Sequence, residues 1–193
     1  MALTLHQAHE VVFWLLHGAR HEPCLVAIDG YSAAGKSTLS RLIASAVARC
    51  QVVEGDDFYR VMAPDRRAAL SAEAGYAEYF DWQRLEAEVL RPLRAGRPAH
   101  YRAYDWARND LGGWQRVAPE GVIVVEGVYS TRPELVGYYD ATLYVAAPYA
   151  ARQQRQRARG DAWEWIERWE AAEAYYMQVH GTRARADVVF EVA

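Results

Sequence analysis

The sequence predicts a three-layer α/β fold, a doubly wound and mainly parallel sheet with helices on both faces. Three observations carry this expectation. Strand-like and helix-like segments alternate along the chain, with no internal repeat and no low-complexity stretch. The runs Val122-Ile-Val-Val125 and Thr142-Leu-Tyr-Val145 are continuously apolar, as strands covered on both faces must be. Gly30-Tyr-Ser-Ala-Ala-Gly-Lys36-Ser37 reads G-x-x-x-x-G-K-S between an apolar run and a helical one, the strand–loop–helix setting of a phosphate-binding loop.

Taken in order, Leu5, Ala8, Val12, Leu15 and Leu16 recur at helical spacing, so residues 4–20 are expected to form an amphipathic helix outside the sheet. The apolar run Cys24–Ile28 is the strand that feeds the phosphate loop, and residues 38–47 have the period of the helix that follows it. Gln51-Val-Val-Glu54 is a short strand. Residues 76–95 read as a helix broken by Pro92 and ended near Gly96. After the two continuous strands, a helical region from Pro148 to about His180 precedes a last strand, Asp187–Phe190. The whole chain, residues 1–193, is expected to be one domain with its N-terminal helix within residues 1–22.

The chain of 193 residues is half apolar and a quarter charged, with a net charge of −3. Such a balance lacks the global field that holds nucleic acid or an anionic membrane. No apolar run approaches the roughly 20 residues that span a bilayer, and the N-terminus lacks the basic segment of a secretory signal. Cys24 and Cys50 have no metal-ligand spacing and read as reduced core thiols, which with the missing signal implies a cytoplasmic protein. The six histidines show no ligand spacing either, so Mg²⁺ carried by phosphates is the metal to expect.

The chemistry concentrates in the loop and at the strand ends. Gly30 and Gly35 let the backbone wrap an anion, so the N–H groups of Gly30, Tyr31, Ser32, Ala33, Ala34, Gly35, Lys36, Ser37 and Thr38 are candidates for a nucleoside triphosphate. Lys36 adds a mobile charge at the β/γ-phosphates, and the Ser37 hydroxyl is placed to ligate Mg²⁺. In a doubly wound sheet ligands collect beyond the carboxyl ends of the strands, where Asp29, Asp56, Asp57 and Glu126 stand. Glu126 fits the acid that holds the metal or orients the attacking group. Either Asp56 or Asp57 could serve as general base for a hydroxyl acceptor, and spacing alone does not choose between them.

Together Gly30–Ser37, Asp56-Asp-Phe-Tyr59, Tyr79-Phe-Asp81, Tyr104-Asp105, Val125-Glu-Gly127, Arg152–Arg159 and Ala186-Asp-Val-Val189 resemble the uridine–cytidine kinase family, of the wider uridine kinase/phosphoribulokinase group. The resemblance implies a P-loop kinase fold that uses ATP and Mg²⁺ to phosphorylate the 5′-hydroxyl of a pyrimidine ribonucleoside. It implies Asp56 as the base and Asp81 as the grip on the ribose 2′- and 3′-hydroxyls. It also implies Tyr59, Phe80 and Tyr104 as the aromatic wall of the nucleoside pocket, a role suited to rings because every base has a π-face. The family's pyrimidine-reading histidine falls on Asn109, which offers a donor and an acceptor instead. Trp82 and Trp106 are further departures, and they point to a more aromatic pocket.

Arg152, Arg155 and Arg159 lie at i, i+3 and i+7 on one helical face, with Arg157 elsewhere. In a phosphoryl-transfer enzyme such a face makes a lid, here at about residues 148–162, that neutralises the transferring group and excludes water; Arg152 and Arg155 are its candidate catalytic residues and Arg159 a candidate substrate contact. The bland alternative is a solvated basic face. Trp163, Trp165, Trp169, Tyr175 and Tyr176 read as core and helix-packing residues.

Competing readings make distinct demands. A GTPase needs N-K-x-D or T-K-x-D, and neither string occurs. A nucleic-acid-dependent ATPase needs a second motor domain, and a non-catalytic nucleotide-binding module has no use for the Lys36, Ser37, Asp56 and Glu126 set. Among kinases the other acceptors are a different nucleoside, pantothenate, or a sugar or sugar phosphate, the last served by a basic pocket of Arg60, Arg66 and Arg67. The expected partner is a small-molecule hydroxyl acceptor, with no nucleic acid and no membrane; a homo-oligomer is left open.

Overall fold

The computed structural model describes Glu10, residues 22–160 and residues 163–192. The helix expected over residues 4–20 falls, but for Glu10, outside them, as do residues 161 and 162 at the end of the expected lid. The chain runs through β1 (Cys24–Asp29), α1 (Lys36–Ala46), β2 (Cys50–Glu54), a 3₁₀ turn (Gly55–Phe58), α2 (Pro64–Ala69) and α3 (Ala72–Glu78). There follow α4 (Trp82–Leu85), a π turn (Glu86–Leu90), α5 (Arg91–Arg94), β3 (Ala99–Asp105), β4 (Asp110–Val117) and β5 (Val122–Glu126). Last come α6 (Pro133–Val136), β6 (Ala141–Ala146), α7 (Tyr149–Arg159), α8 (Trp163–His180), α9 (Thr182–Arg185) and β7 (Val188–Glu191).

Five strands form one parallel sheet in the order β2-β5-β1-β6-β7. The continuous apolar runs predict this, since a strand covered on both faces has no polar side to show. Leu25, Val26, Ala27 and Ile28 of the central strand are fully buried, and each large aliphatic side chain so removed from water contributes about 1.5–3 kcal/mol. One face packs Val26, Ile28, Val124 and Leu143 against Leu39 and Ile43 of α1. The other packs Leu25, Val53, Ile123 and Val125 against Leu90 and Leu93 of the π turn and α5, and Tyr176 of α8. This is the three-layer α/β arrangement the alternation implies. Among the described residues no helix is long and apolar enough to cross a membrane. Burial pushes the free thiols of Cys24 and Cys50 up to about 11, which leaves them protonated and unreactive.

Two stretches differ from the sequence expectation. Residues 76–95 are not one helix: α3 ends at Glu78, and Phe80 pairs with Tyr59 in an isolated antiparallel bridge before α4 begins. Nor does Pro92 break the second piece. The π turn runs into α5, with the Arg91 N–H bonded to Glu86 O five residues back, so the wider turn absorbs a ring that would clash in a regular α-helix. The second difference is the antiparallel β3–β4 hairpin, which joins no strand of the main sheet. Its turn is built by Asp105, whose carboxylate accepts from the N–H groups of Ala107 and Arg108, and by Asn109 at φ +50°.

Candidate nucleotide and acceptor site

Register sets up the site. Parallel pairing aligns Glu126 with Ile28 of β1 on one side and Glu54 of β2 on the other, so three strands deliver their carboxyl ends to one crevice. Gly55 and Gly127 meet there: a Cβ on Gly127 would stand 2.9 Å from the Cα of Gly55. Their bare contact lets the turn after β2 lie against the end of β5, and Asp56 and Glu126 line the same cavity. That cavity is ≈ 650 Å³, ample for a drug-sized ligand. Its walls come from the phosphate loop, the turn after β2, the β3–β4 hairpin, α7 and α8.

The loop has the shape an anion requires. Gly30 sits at φ +139° with Val145 O where a Cβ would be, and Ala33 and Gly35 also have positive φ. Alternation of this kind turns successive N–H groups into a concavity for phosphate, and α1 begins directly at Lys36 with no side-chain cap on its N-terminus. Lys36 Nζ donates to the carbonyls of Gly30 and Tyr31 at 3.0 Å each, which arches the side chain over the loop. The Ser37 hydroxyl and the Glu126 carboxylate line the cavity together, and Ser37 lowers the proton affinity of Glu126. A hydroxyl and a carboxylate are hard oxygen donors, so this pair fits Mg²⁺.

Asp56 and Asp57, left open by spacing, separate in the structure. Asp56 lines the cavity. Asp57 instead accepts from Tyr101 O–H at 2.9 Å in the hairpin and is not among the lining residues. Asp56 is exposed to the water of the cavity, whose walls rise around it. Desolvation therefore raises its proton affinity above the aspartate norm, against the opposing pull of Lys36 and Arg159. Glu126 is raised in the same way by burial, opposed by Lys36 and Ser37. Asp29, the fourth strand-end acid, is committed to structure. It accepts from the N–H groups of Gly30 and Thr131, from Thr131 Oγ1 and from Tyr176 O–H, at 2.6–3.0 Å.

The arginines of α7 are divided in their employment. Arg152 is buried, pairs with Glu170 of α8 at 3.2 Å and lies over the ring of Tyr31 at 4.3 Å. Arg155 donates to the carbonyls of Ala33 and Ala34 at 3.0 and 3.4 Å. Arg159 lines the cavity and acts on Asp56. Arg152 and Arg155 thus fasten the helix to the loop, while Arg157 and Arg159 stay exposed.

Opposite the loop the cavity wall is aromatic. Tyr59, Tyr104, Trp106 and Trp169 form a continuous set, with Tyr59–Trp106 centroids 4.6 Å apart and Trp106–Trp169 centroids 5.5 Å apart. Trp165 extends it, 6.1 Å from Trp169. Asn109 lines the cavity, but its amide is already occupied: Oδ1 accepts from Tyr104 O–H at 2.6 Å and Arg67 Nη2 at 3.1 Å, and Nδ2 donates to Met62 O at 2.9 Å. Arg67 reaches this cluster from α2 and also donates to Arg60 O at 2.7 Å.

Of the residues singled out in the sequence, the structure brings Ser32, Ala33, Gly35, Lys36, Ser37, Thr38, Asp56, Tyr59, Tyr104, Asn109, Glu126 and Arg159 around one cavity. Phe80 and Asp81 are not among its lining residues. Phe80 is buried in the core, where its bridge to Tyr59 places it, and packs 6.0 Å from Tyr129. Asp81 caps α4 through the Arg84 N–H and meets Arg60 at 3.5 Å. Trp106, read from sequence as making the pocket more aromatic, is a wall residue, and so is Arg67 of the candidate basic pocket, whereas Trp165 and Trp169 are wall residues not assigned to the site from sequence. Trp165 and Trp169 were expected to be packing residues; their i, i+4 spacing suits a cavity wall as well as a helix interface. Glu173 carried a signal, an acid at i+4 from Trp169 on the buried stripe of α8.

Comparison with known proteins agrees with this geometry. The sequence profile described as Phosphoribulokinase / Uridine kinase family matches residues 25–193. The chain is 27% identical over 156 residues to the nicotinamide riboside kinase of Eremothecium gossypii, covering 70% of this chain and 64% of that one. It is 26% identical over 163 residues to the pantothenate kinase of Shewanella putrefaciens, covering 72% and 50%. The chain therefore spans about half to two thirds of the length of these curated relatives. Its fold superposes on a solved structure of a possible uridine kinase from Bacillus stearothermophilus with a TM-score of 0.75 at 22% identity, covering 95% of this chain and 96% of that one.

Proposed function

Given that the chain belongs to the phosphoribulokinase/uridine kinase family, we propose that it transfers the γ-phosphate of ATP to a hydroxyl of a small acceptor, the 5′-hydroxyl of a ribonucleoside. One observation carries the reading: a single cavity holds the phosphate loop with Lys36 on one side, an aromatic wall on the other, and Asp56 lining it with them. In this proposal residues 30–38 cradle the triphosphate, and Ser37 and Glu126 hold the Mg²⁺ that neutralises its developing charge. Asp56 takes the proton of the acceptor hydroxyl. The α7 arginines close over the phosphates, and water is excluded from the transfer.

The wall supports a flat acceptor. Tyr59, Tyr104, Trp106 and Trp169 offer ring faces and edges, and base–aromatic stacking is worth roughly 1–3 kcal/mol per base. A sugar phosphate finds less support. Of the three arginines that could bind its phosphate, Arg60 is paired with Asp81, Arg66 with Glu78, and Arg67 is engaged by Arg60 O, Tyr104 and Asn109. Uridine and cytidine are the first candidates by family. A second reading, nicotinamide riboside, is favoured by the electron-rich wall itself, because tryptophan and tyrosine faces attract a cationic ring, and by the relative of that name.

A coupled assay of ATP consumption against uridine, cytidine, nicotinamide riboside, pantothenate and ribulose 5-phosphate tests the proposal. It is expected to respond to a nucleoside; turnover of pantothenate or the sugar phosphate alone overturns the acceptor assignment, and no turnover with any hydroxyl acceptor overturns the kinase assignment.

For the ribose diol the proposal keeps Asp81. It directly follows Phe80, the bridge partner of the wall residue Tyr59. An acid left under-satisfied when one ribose hydroxyl is removed costs ~1–3 kcal/mol. Ribonucleosides are thus expected to exceed their 2′-deoxy analogues by roughly ten- to a hundred-fold in kcat/KM. Asp81→Ala should erase that ratio. A preference that survives in Asp81→Ala assigns the diol to another group and leaves Asp81 as the cap of α4.

A further inference from the structure

Glu173 lies on the middle of α8, only 2% exposed, and its carboxylate points into the crest of the phosphate loop. Oε2 accepts from the Ser32 N–H at 3.0 Å, and Oε1 accepts from the Ser32 hydroxyl. An acid buried beside a site for triphosphate is costly twice over, through its own desolvation and through repulsion of the ligand. Neutral side chains could have satisfied Ser32 as well. Desolvation raises the proton affinity of Glu173, and Lys36, the bonds to Ser32 and Arg152 oppose it; Arg152 is itself held over Tyr31 by Glu170 one turn earlier on α8. With Arg155 on the carbonyls of Ala33 and Ala34, each loop residue from 31 to 34 is gripped from the α7–α8 side.

We propose that Glu173 is a positioning residue for phosphoryl transfer. It fixes the crest of the phosphate loop through Ser32, and by its charge it draws Lys36 and Arg152 in against the loop, so that loop and lid act as one unit. The proposal rests on reading the loop as an ATP site, but not on the identity of the acceptor. A loop whose crest is fixed in advance does not lose that freedom when the nucleotide binds, which is where preorganisation gains affinity.

Binding of ATP·Mg²⁺ to the purified full chain, measured by titration calorimetry without acceptor, tests this alongside the melting temperature of the nucleotide-free protein. Glu173→Ala is expected to weaken ATP about tenfold or more, the effect of losing a charge-assisted hydrogen-bond pair. Glu173→Gln, which keeps partners for Ser32 but not the charge, should recover part of that loss. Ser32→Ala, which removes only the hydroxyl, should weaken ATP less, and the Ser32→Ala/Glu173→Ala pair should fall short of the sum of the two. If Glu173→Ala does not fold, Glu173→Gln against Ser32→Ala carries the comparison. Unchanged or tighter ATP binding in the Glu173 variants, with only a lower melting temperature, overturns the proposal and leaves Glu173 a packing acid. Failure of the unsubstituted protein to bind ATP overturns the kinase reading instead.

Discussion

Lys36→Ala is expected to abolish phosphoryl transfer, a loss of at least ~10³ in kcat, while circular dichroism shows the fold intact. The magnitude follows from what the side chain does. Removing a single preorganised donor from a transition state commonly costs ~10²–10³, and Lys36 brings a full charge. It is also a buried cation facing Asp56, Glu126 and Glu173, each of which is lowered in proton affinity by its presence. Without it the three acids have less to oppose their desolvation, and each holds its proton more tightly. Asp56 then loses competence as a base when the triphosphate also loses its clamp, so the two effects compound. Turnover within tenfold of the parent in a folded Lys36→Ala would show that the loop does not hold the transferring phosphate.

The second large effect is expected at Asp56. Asp56→Asn should lower kcat by at least the ~10²-fold that general-base help supplies, with ATP binding retained. Asp57→Asn should do far less to catalysis, because its carboxylate is spent on Tyr101. The reverse order of severity would transfer the base role to Asp57. pH gives a second readout. Burial raises the Asp56 proton affinity, and a base works only when deprotonated. The acid limb of kcat/KM should therefore lie above the ordinary aspartate range and vanish from the residual activity of Asp56→Asn. Stability runs the other way. For Asp56, Glu126 and Glu173 the folded state binds the proton more tightly than the unfolded chain. Their contribution is fully present below the ordinary carboxylate range and is lost as pH rises through the raised values.

What was legible in the sequence was what local chemistry dictates. The phosphate loop is specified by residues in direct succession, and the strands by unbroken apolar runs such as Cys24–Ile28 and Val122–Val125. The acids at their ends follow from where a parallel sheet presents its ligand crevice. The acceptor wall was half legible. Tyr59 and Tyr104 came from the family resemblance, Trp106 from its departure and Arg67 only as part of a basic pocket, whereas Trp165 and Trp169 meet them only after the hairpin and α8 have converged, and no local period records that convergence. The hairpin itself was masked by Gly112-Gly113 and by a mostly exposed β4 whose Trp114 faces water, a pattern with no buried alternation to read. Asn109 shows how one residue can satisfy two descriptions. Its place five residues after Tyr104 suits a base reader, yet its positive φ and three side-chain bonds make it a fastening of the hairpin turn. Pro92 misled for a physical reason as well, since the penalty for an interior proline applies to an α-helix and the chain adopts a π turn there.

Asp29 joins elements far apart in sequence: the end of β1, the segment after β5 through Thr131, and α8 through Tyr176. Each bond is buried, so none can open to solvent while the others persist. In the language of hydrogen exchange, this makes the centre of the sheet and the C-terminal half of α8 a single cooperative unit. The amides of Gly30 and Thr131 should then exchange with deuterium only as slowly as the β1 amides themselves. Helix α7, which meets the loop through Arg152 and Arg155 rather than through a sheet ladder, is expected to exchange sooner.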